Sequence, residues 1–390
     1  MSQGIFELFQ PVDQPVFSNA EGTARIADRI DIHRFDYQPS IEGCRVAIFG
    51  VNDGRNSGDN EGCAAAPDAI RSWLYRLTPP TRWAPVVDLG DIKQGYEEDD
   101  TENAVQAVVS ELVQMGIIPI MIGGGQDLTY AMYSALESVG RPMNVVSIDS
   151  RLDFGGDPEV NTSRNFMNRI VLHEPNFLFD YTNVGHQGYM TDPDTLELLE
   201  RLQFESIRLG TVHTDPKLLE PVFRNADLIS IDASSIRASD HPASTHAGPN
   251  GLSSSQICQL ARYAGLSDRM MALGIFEHNP DLDDRGRGGH LAAQVVWHML
   301  DGIFSQTGDY PKCSSEEYTR YVVDLPGNDH EVAFFKSSRS DRWWMDVPIP
   351  TSKKSNKDQH HLVPCAYEDY QEASEGQLPD KWWRTYQKLA

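Results

Sequence analysis

Three apolar runs in this 390-residue sequence end in side chains suited to acid, base or metal chemistry. Val146 to Phe154 reads Val-Ser-Ile-Asp-Ser-Arg-Leu-Asp-Phe, and in extended chain the period of two sets Asp149, Arg151 and Asp153 on one side. Leu228 to Ser234 delivers Asp232 from a similar run, and Ile122 to Thr129 (Ile-Gly-Gly-Gly-Gln-Asp-Leu-Thr) brings Gln126 after a glycine turn. A glycine run could cradle a phosphate, but this spacing matches neither GxGxxG nor a P-loop, and no lysine follows. Any one such aspartate would ordinarily cap a helix. As a set they repel: two unit charges about 4 Å apart cost roughly 4 kcal/mol at an effective dielectric of about 20. Gathered carboxylates therefore need a metal ion, a guanidinium such as Arg151, or shifted pKa values.

The elements that must position these residues alternate short β-branched runs with helical patterns from residue 41 to 306, as in βα units on a parallel sheet. The expected strands are Arg45–Val51, Pro85–Leu89, Ile117–Ile122, Asn144–Asp149, Phe177–Val184, Ser206–Leu209, Leu228–Asp232 and Met270–Phe276. A helix is expected over Thr101–Met115, with Ala104, Val105, Val108, Val109 and Leu112 on one face. Ligands of such folds sit beyond the carboxyl ends of the strands, where the residues above fall. Residues 1–40 read as an arm. Residues 307–390 read as an extension packed on the domain or on a partner, with strands at Tyr318–Val323 and Glu331–Phe335, a polar loop at Pro348–Asp358 and a final helix at Pro379–Leu389.

Five motifs in order carry a family likeness. Asn60, Gly62, Pro67, Ile70 and Arg71 match a Gly-Pro-x-x-Ile-Arg element, Gly123 to Asp127 a Gly-Gly-(Asp/Gly)-His-(Ser/Glu) turn, and Val146 to Asp153 an Ile-Asp-Ala-His-x-Asp motif. Ser230 to Ser234 matches Ser-x-Asp-x-Asp, and Gly274 to Pro280 matches Asp-x-x-Glu-x-Asn-Pro. Over roughly residues 43 to 306 the sequence resembles the arginase, agmatinase and formimidoylglutamase superfamily, most closely its formimidoylglutamase-like branch. The resemblance implies a three-layer α/β/α fold with an eight-stranded parallel sheet, here with a C-terminal extension. It also implies a pair of Mn ions whose bridging hydroxide attacks an amidino or guanidino carbon.

By that resemblance the metal ligands fall on Gln126 (histidine expected), Asp149, Arg151 (histidine expected), Asp153, Asp232 and Ser234 (aspartate expected). Gln126, Asp149, Asp153 and Asp232 form an oxygen set suited at most to one weak Mn or Mg ion. The other ion would need Arg151, which has no lone pair to give and keeps its charge. Glu277 corresponds to the substrate-contacting glutamate, and the family's catalytic-loop histidine has no equivalent in Thr162–Arg169. The expectation is a pseudoenzyme with no resident cofactor, its Arg151 guanidinium paired to the carboxylates, acting as a binding or scaffolding protein. The alternative is a metal-dependent hydrolase of C–N bonds in linear amidines or guanidines. No residue is assigned a catalytic role: Cys63 and Cys258 lack a histidine partner, Ser234 and Ser235 lack a base, and His241, His246 and His278 read as loop or packing histidines.

A formal net charge of −24 argues against nucleic acid and anionic membrane; it serves solubility first and would also attract a cationic ligand, but charge alone selects no substrate, and a protein partner or a small cationic or amidino ligand is expected from the crevice and the extension. Trp343, Trp344, Trp382 and Trp383 in the tail are candidates for such a partner surface or for docking within the chain. Five scattered cysteines without a CxxC pair, no basic-apolar leader and no long apolar run point to a cytoplasmic protein, with an oligomer possible.

Overall fold

Alternation within the apolar runs decides the layers. In Ile118–Ile122, Ile118, Ile120 and Ile122 join one buried cluster while Met121 joins another. Val46 and Ile48 likewise oppose Ala47, Phe49 and Val51. A strand with apolar residues on both faces must be covered on both. One face carries the helices Ala66–Leu74, Ser254–Gly265 and Arg287–Ile303, and the other carries Glu98–Gln114, Leu128–Ala135 and Phe166–Leu172. The result is a three-layer α/β/α fold.

The computed structural model describes residues 4–13, 24–157, 160–310, 317–325, 331–349 and 360–390. Its strands are β1 (Phe9–Gln10), β2 (Ile30–Ile32), β3 (Val46–Asn52), β4 (Val86–Lys93), β5 (Ile118–Ile122), β6 (Met143–Ile148), β7 (Leu178–His186), β8 (Glu205–Arg208), β9 (Leu228–Asp232), β10 (Ala272–Phe276), β11 (Tyr318–Asp324), β12 (Glu331–Ser337), β13 (Trp343–Pro348) and β14 (His360–Cys365). The large sheet runs β1-β4-β3-β5-β10-β9-β6-β7-β8, with β2 also on β4, and every pairing is parallel except β1 on β4. All eight expected strands are present as β3 to β10. The sheet has ten strands because residues 9–10 and 30–32, expected in an arm, lie in succession along the outer edge of β4. Strands of two or three residues carry too little pattern to stand out in sequence. The helix read at Thr101–Met115 runs Glu98–Gln114 and buries Val105, Val108, Val109 and Leu112.

Residues after 316 add a four-stranded antiparallel sheet, β11-β12-β13-β14, and the helices Tyr367–Ser374 and Asp380–Leu389. Two of its strands were not expected, and the polar loop placed at Pro348–Asp358 lies from residue 350 onward outside the described residues. Phe334, Trp343, Met345, Val363 and Trp382 give it a core of its own. Arg224 fastens it to the large domain: its guanidinium donates to the carbonyls of Trp343 and Cys365, both at 3.1 Å, and lies 4.5 Å from the Trp344 ring centroid. No helix among the described residues is long and apolar enough to cross a membrane.

Candidate functional site

Four neighbouring strands at the centre of the sheet, in the order β5-β10-β9-β6, supply the site. Gln126 follows β5, Glu277 follows β10, Asp232 ends β9, and Asp149, Arg151 and Asp153 follow β6. Parallel strands direct all their carboxyl ends to one side, so residues spread over 150 positions of sequence converge there. The turn after β5 is steep, with Gly123 at φ +81° and Gly124 at φ +80°. A Cβ on Gly123 would lie 2.6 Å from the Pro67 ring, which explains glycine there. Pro67 belongs to the helix whose Arg71 is buried on Asp88 (2.9 Å) and Asp91 (2.6 Å), so the early Gly-Pro-x-x-Ile-Arg element frames the site from beneath.

The carboxylates are drawn together as the sequence indicated, and backbone amides serve them. Asp149 Oδ1 accepts from the Arg151 N–H at 2.8 Å, and Asp232 Oδ1 from the Ser234 N–H at 2.6 Å. Burial, with the charge of Asp153 added for Asp149 and that of Asp149 for Asp232, raises Asp149 and Asp232 well above the usual carboxylate range, and burial pushes Asp153 up to about 7. Carboxyls of such high pKa share protons, and Asp149 and Asp153 hydrogen-bond each other.

Arg151 does not resolve the charge as expected. Its guanidinium forms no ion pair within 4.0 Å among the described residues; it lines an open cavity of about 430 Å³ together with Asp153, Phe154, Arg164 and Thr191. Held in sequence two residues from Asp149, its side chain leaves the crevice while its backbone N–H stays, and its charge still eases Asp153. Gln126 is fully buried, with Nε2 donating to Ser230 Oγ (3.2 Å) and Ser147 Oγ (3.4 Å). Its Oε1 and Asp149 Oδ2 are buried acceptors with no donor among the described residues. A half-turn of the amide would present Oε1 to the serine hydroxyls, and Gln126 stands close enough to Asp149 for a hydrogen bond that lowers its pKa.

Glu277 lies at φ +63° and is 1% exposed, outside the cavity lining. Its Oε1 accepts from Ser163 Oγ (2.6 Å), Ser57 Oγ (2.7 Å) and the Gln126 N–H (3.0 Å), and its Oε2 from Asn60 Nδ2 (2.7 Å). The residue read as a substrate contact thus holds four segments of chain together. Ser57 and Ser163 were not singled out, although Ser163 lies in the stretch searched for a histidine. Asp127, whose buried carboxyl is pushed up to about 7 and accepts from Asn56 at 2.9 Å, was missed as well. Lone serines and an aspartate at a helix start carry no period or spacing that would mark them. His246 sits beside Arg164 and Asp59 at the rim, and His241 and His278 form a buried pair 3.1 Å apart behind the site. Cys63, also buried, donates to Ser57 at 3.3 Å, and burial raises its thiol far from thiolate chemistry.

The pair of ions that the motifs imply can be tested against these donors. Arg151 and Ser234 supply neither a lone-pair nitrogen nor a carboxylate where the second ion would sit, and the described residues hold no cluster of three His, Cys, Asp or Glu side chains suited to a metal. The donor set does not fit a dinuclear centre.

The sequence model of the Arginase family matches residues 44–301, more than half of the chain. A formimidoylglutamase of Lysinibacillus sphaericus is 22% identical over 287 residues, 68% of this chain and 87% of that protein. One of Staphylococcus aureus is 23% identical over 285 residues, 69% and 89%. Among solved structures, the Trypanosoma cruzi formiminoglutamase with Mn2+ superposes with a TM-score of 0.66 at 20% identity, covering 73% of this chain and all of the other. The Bacillus subtilis formimidoylglutamase gives 0.65 at 17%, covering 78% and 99%. The ordered motifs, the sheet topology and the matched length agree, and the chain belongs to the arginase family.

Proposed function

We propose that this protein is a non-hydrolytic member of the arginase family, a pseudoenzyme whose strand-end crevice serves binding and not dinuclear metal catalysis. The observation behind it is Arg151: a permanent cation, two residues from Asp149 and facing the cavity, takes a ligand position of the family's metal pair. A metal hydrolase depends on a bound hydroxide and on polarisation of its substrate, and Arg151 has no lone pair with which to hold the ion supplying both. The carboxyls are instead served by backbone N–H groups and by one another. A small cationic or amidino ligand is the class proposed for the crevice, contacting Asp153 at a cavity wall where Asp157 and Asp192 stand beside Arg151 and Arg164 and leave the acids in slight excess.

Metal analysis of the purified protein with Mn2+ titration calorimetry tests this directly. Metal near zero with no binding heat is expected, whereas two ions per chain overturn the reading. In a second experiment the triple variant Gln126→His, Arg151→His, Ser234→Asp gains Mn2+ binding if the crevice has kept its shape.

A second reading, one hard cation on Gln126, Asp149, Asp153 and Asp232 with amidine hydrolysis retained, is favoured by the two donorless oxygens on Gln126 and Asp149. Gln126→Glu separates the two. An added carboxylate tightens Mn2+ binding if the oxygens face a cation, and destabilises the protein without metal binding if the amide is a donor to Asp149.

A further inference from the structure

At the opposite end of the sheet, where the strands begin, two adjoining cavities of about 800 and 260 Å³ share Arg45 and Gln306 in their walls. Ile117, Ile118, Met270 and Met271 at the starts of β5 and β10 line the larger one, so this groove is remote from the carboxylate crevice. Four guanidiniums border it: Arg45, Arg82, Arg141 and Arg269. They come from separate stretches of a chain with a net charge of −24 and meet only through the fold.

Their neutralisation is incomplete. Arg141 and Arg269 both turn to the one buried carboxylate of Asp227, at 2.6 and 3.1 Å. The Arg45 guanidinium donates to the neutral amide oxygen of Gln306, and neither it nor Arg82 has an ion pair among the described residues. Asp268, the one acid in the lining, is taken up by the N–H groups of Gly308 (3.0 Å) and Asp309 (3.1 Å). Gln306 is itself fixed by donating to the carbonyls of Gly265 and Ser267, so Arg45 is held at the junction of the two cavities. Four cations thus face two carboxylates around a concave space of metabolite size.

We infer that this groove is a binding site for a small polyanion carrying phosphate or carboxylate groups, one anionic group near Arg45 and Arg82 and a second towards Arg141 and Arg269. Guanidiniums recognise such oxygens by paired N–H donors, and a low-dielectric concavity strengthens the contact over that on an open surface. The inference does not rest on the function proposed for the crevice.

Titration calorimetry on the full chain, with pyrophosphate in one series and citrate in another, tests it. Saturable binding of either one is expected, weakening as sodium chloride is raised; pyrophosphate alone assigns the site to phosphates, citrate alone to polycarboxylates. The exposed pair Arg45→Gln/Arg82→Gln should weaken binding at least about tenfold with an unchanged melting temperature, and Arg82→Gln alone should weaken it measurably. Arg151→Gln/Arg164→Gln, in the other cavity, should leave it unchanged. No heat with either anion overturns the site, as does wild-type affinity in the Arg45/Arg82 variant or loss of binding in the Arg151/Arg164 variant.

Discussion

Glu277 is the residue at which position in sequence and position in the fold part company. Its motif was legible and so was its strand end, but its neighbours Ser57, Asn60 and Ser163 come from elsewhere in the chain, and only the fold shows that they occupy the carboxylate. With three donors on one oxygen, Glu277→Gln sets an N–H or a poorer acceptor against hydroxyl and amide donors. It should cost about 2 to 4 kcal/mol in urea unfolding. A cost below about 0.5 kcal/mol would show that the cage is not a source of stability. The His241–His278 pair gives a pH signature. Burial lowers His241 to about 3, helped by the neighbouring His278, and burial lowers His278 to about 4. Both pKa values are below the unfolded value of about 6.5, so the stability they contribute is complete above pH 6.5 and is lost as pH falls towards 4 and then 3. Asp127 and Asp153, pushed up to about 7, act with the opposite sign, favouring the folded state as pH falls from 7 towards 4. The His241→Gln/His278→Gln variant should therefore lose less stability than the parent between pH 6.5 and 4, read as the slope of unfolding free energy against pH. An unchanged slope would mean that the histidines do not titrate with unfolding.

Among elements, β3 to β7, β9 and β10 were readable because each is a stretch of five or more residues rich in β-branched and apolar side chains, and the four-residue β8 followed from its place in the βα alternation, whereas β13 and β14 were not readable. Trp343-Trp344-Met345 lacks alternation because both faces are used: Trp343 and Met345 fill the core of the small sheet while Trp344 turns to Arg224. Three of the four tail tryptophans, Trp343, Trp344 and Trp382, are thereby buried within the chain, and only Trp383 is substantially exposed, at 47%. The element most exposed to a single change is the Glu220–Arg224 helix. Arg224 pairs with Glu220 at 3.1 Å and carries the two carbonyl contacts that dock β13 and β14. Arg224→Ala takes the guanidinium donor from those carbonyls, leaves Glu220 with Arg342 alone and Trp344 without its guanidinium, at a cost of about 3 to 5 kcal/mol. Limited proteolysis should then cut before residue 343 under conditions in which the parent resists, with a red shift in tryptophan emission. Equal resistance would place the docking energy in the contacts of Arg342 with Glu220 and of Arg384 with Glu205.

Across the whole molecule, charge is distributed by the fold in a way that composition conceals. The net −24 was read as a field that repels anions, but Arg45, Arg82, Arg141 and Arg269 are far apart in sequence and form no basic stretch that a linear reading would mark. The two consequences respond to salt in opposite directions. Self-repulsion among exposed acids destabilises the compact state, and at 0.01 M salt it reaches over roughly 30 Å, against about 8 Å at 0.15 M. Raising sodium chloride from about 0.01 to 0.15 M should therefore raise the melting temperature, by roughly 2 °C for each kcal/mol of repulsion relieved. The buried contacts of Arg71 with Asp88 and of Arg224 with the small sheet are shielded from solvent ions and should not reverse that gain. Over the same range, affinity at the arginine groove should fall. Scanning calorimetry across the salt series, with and without pyrophosphate, reads both: melting temperature rises with salt in the free protein, and the increment from pyrophosphate shrinks. A melting temperature that falls with salt would mean that attractive surface pairs, such as Arg237 with Asp240, outweigh the net charge.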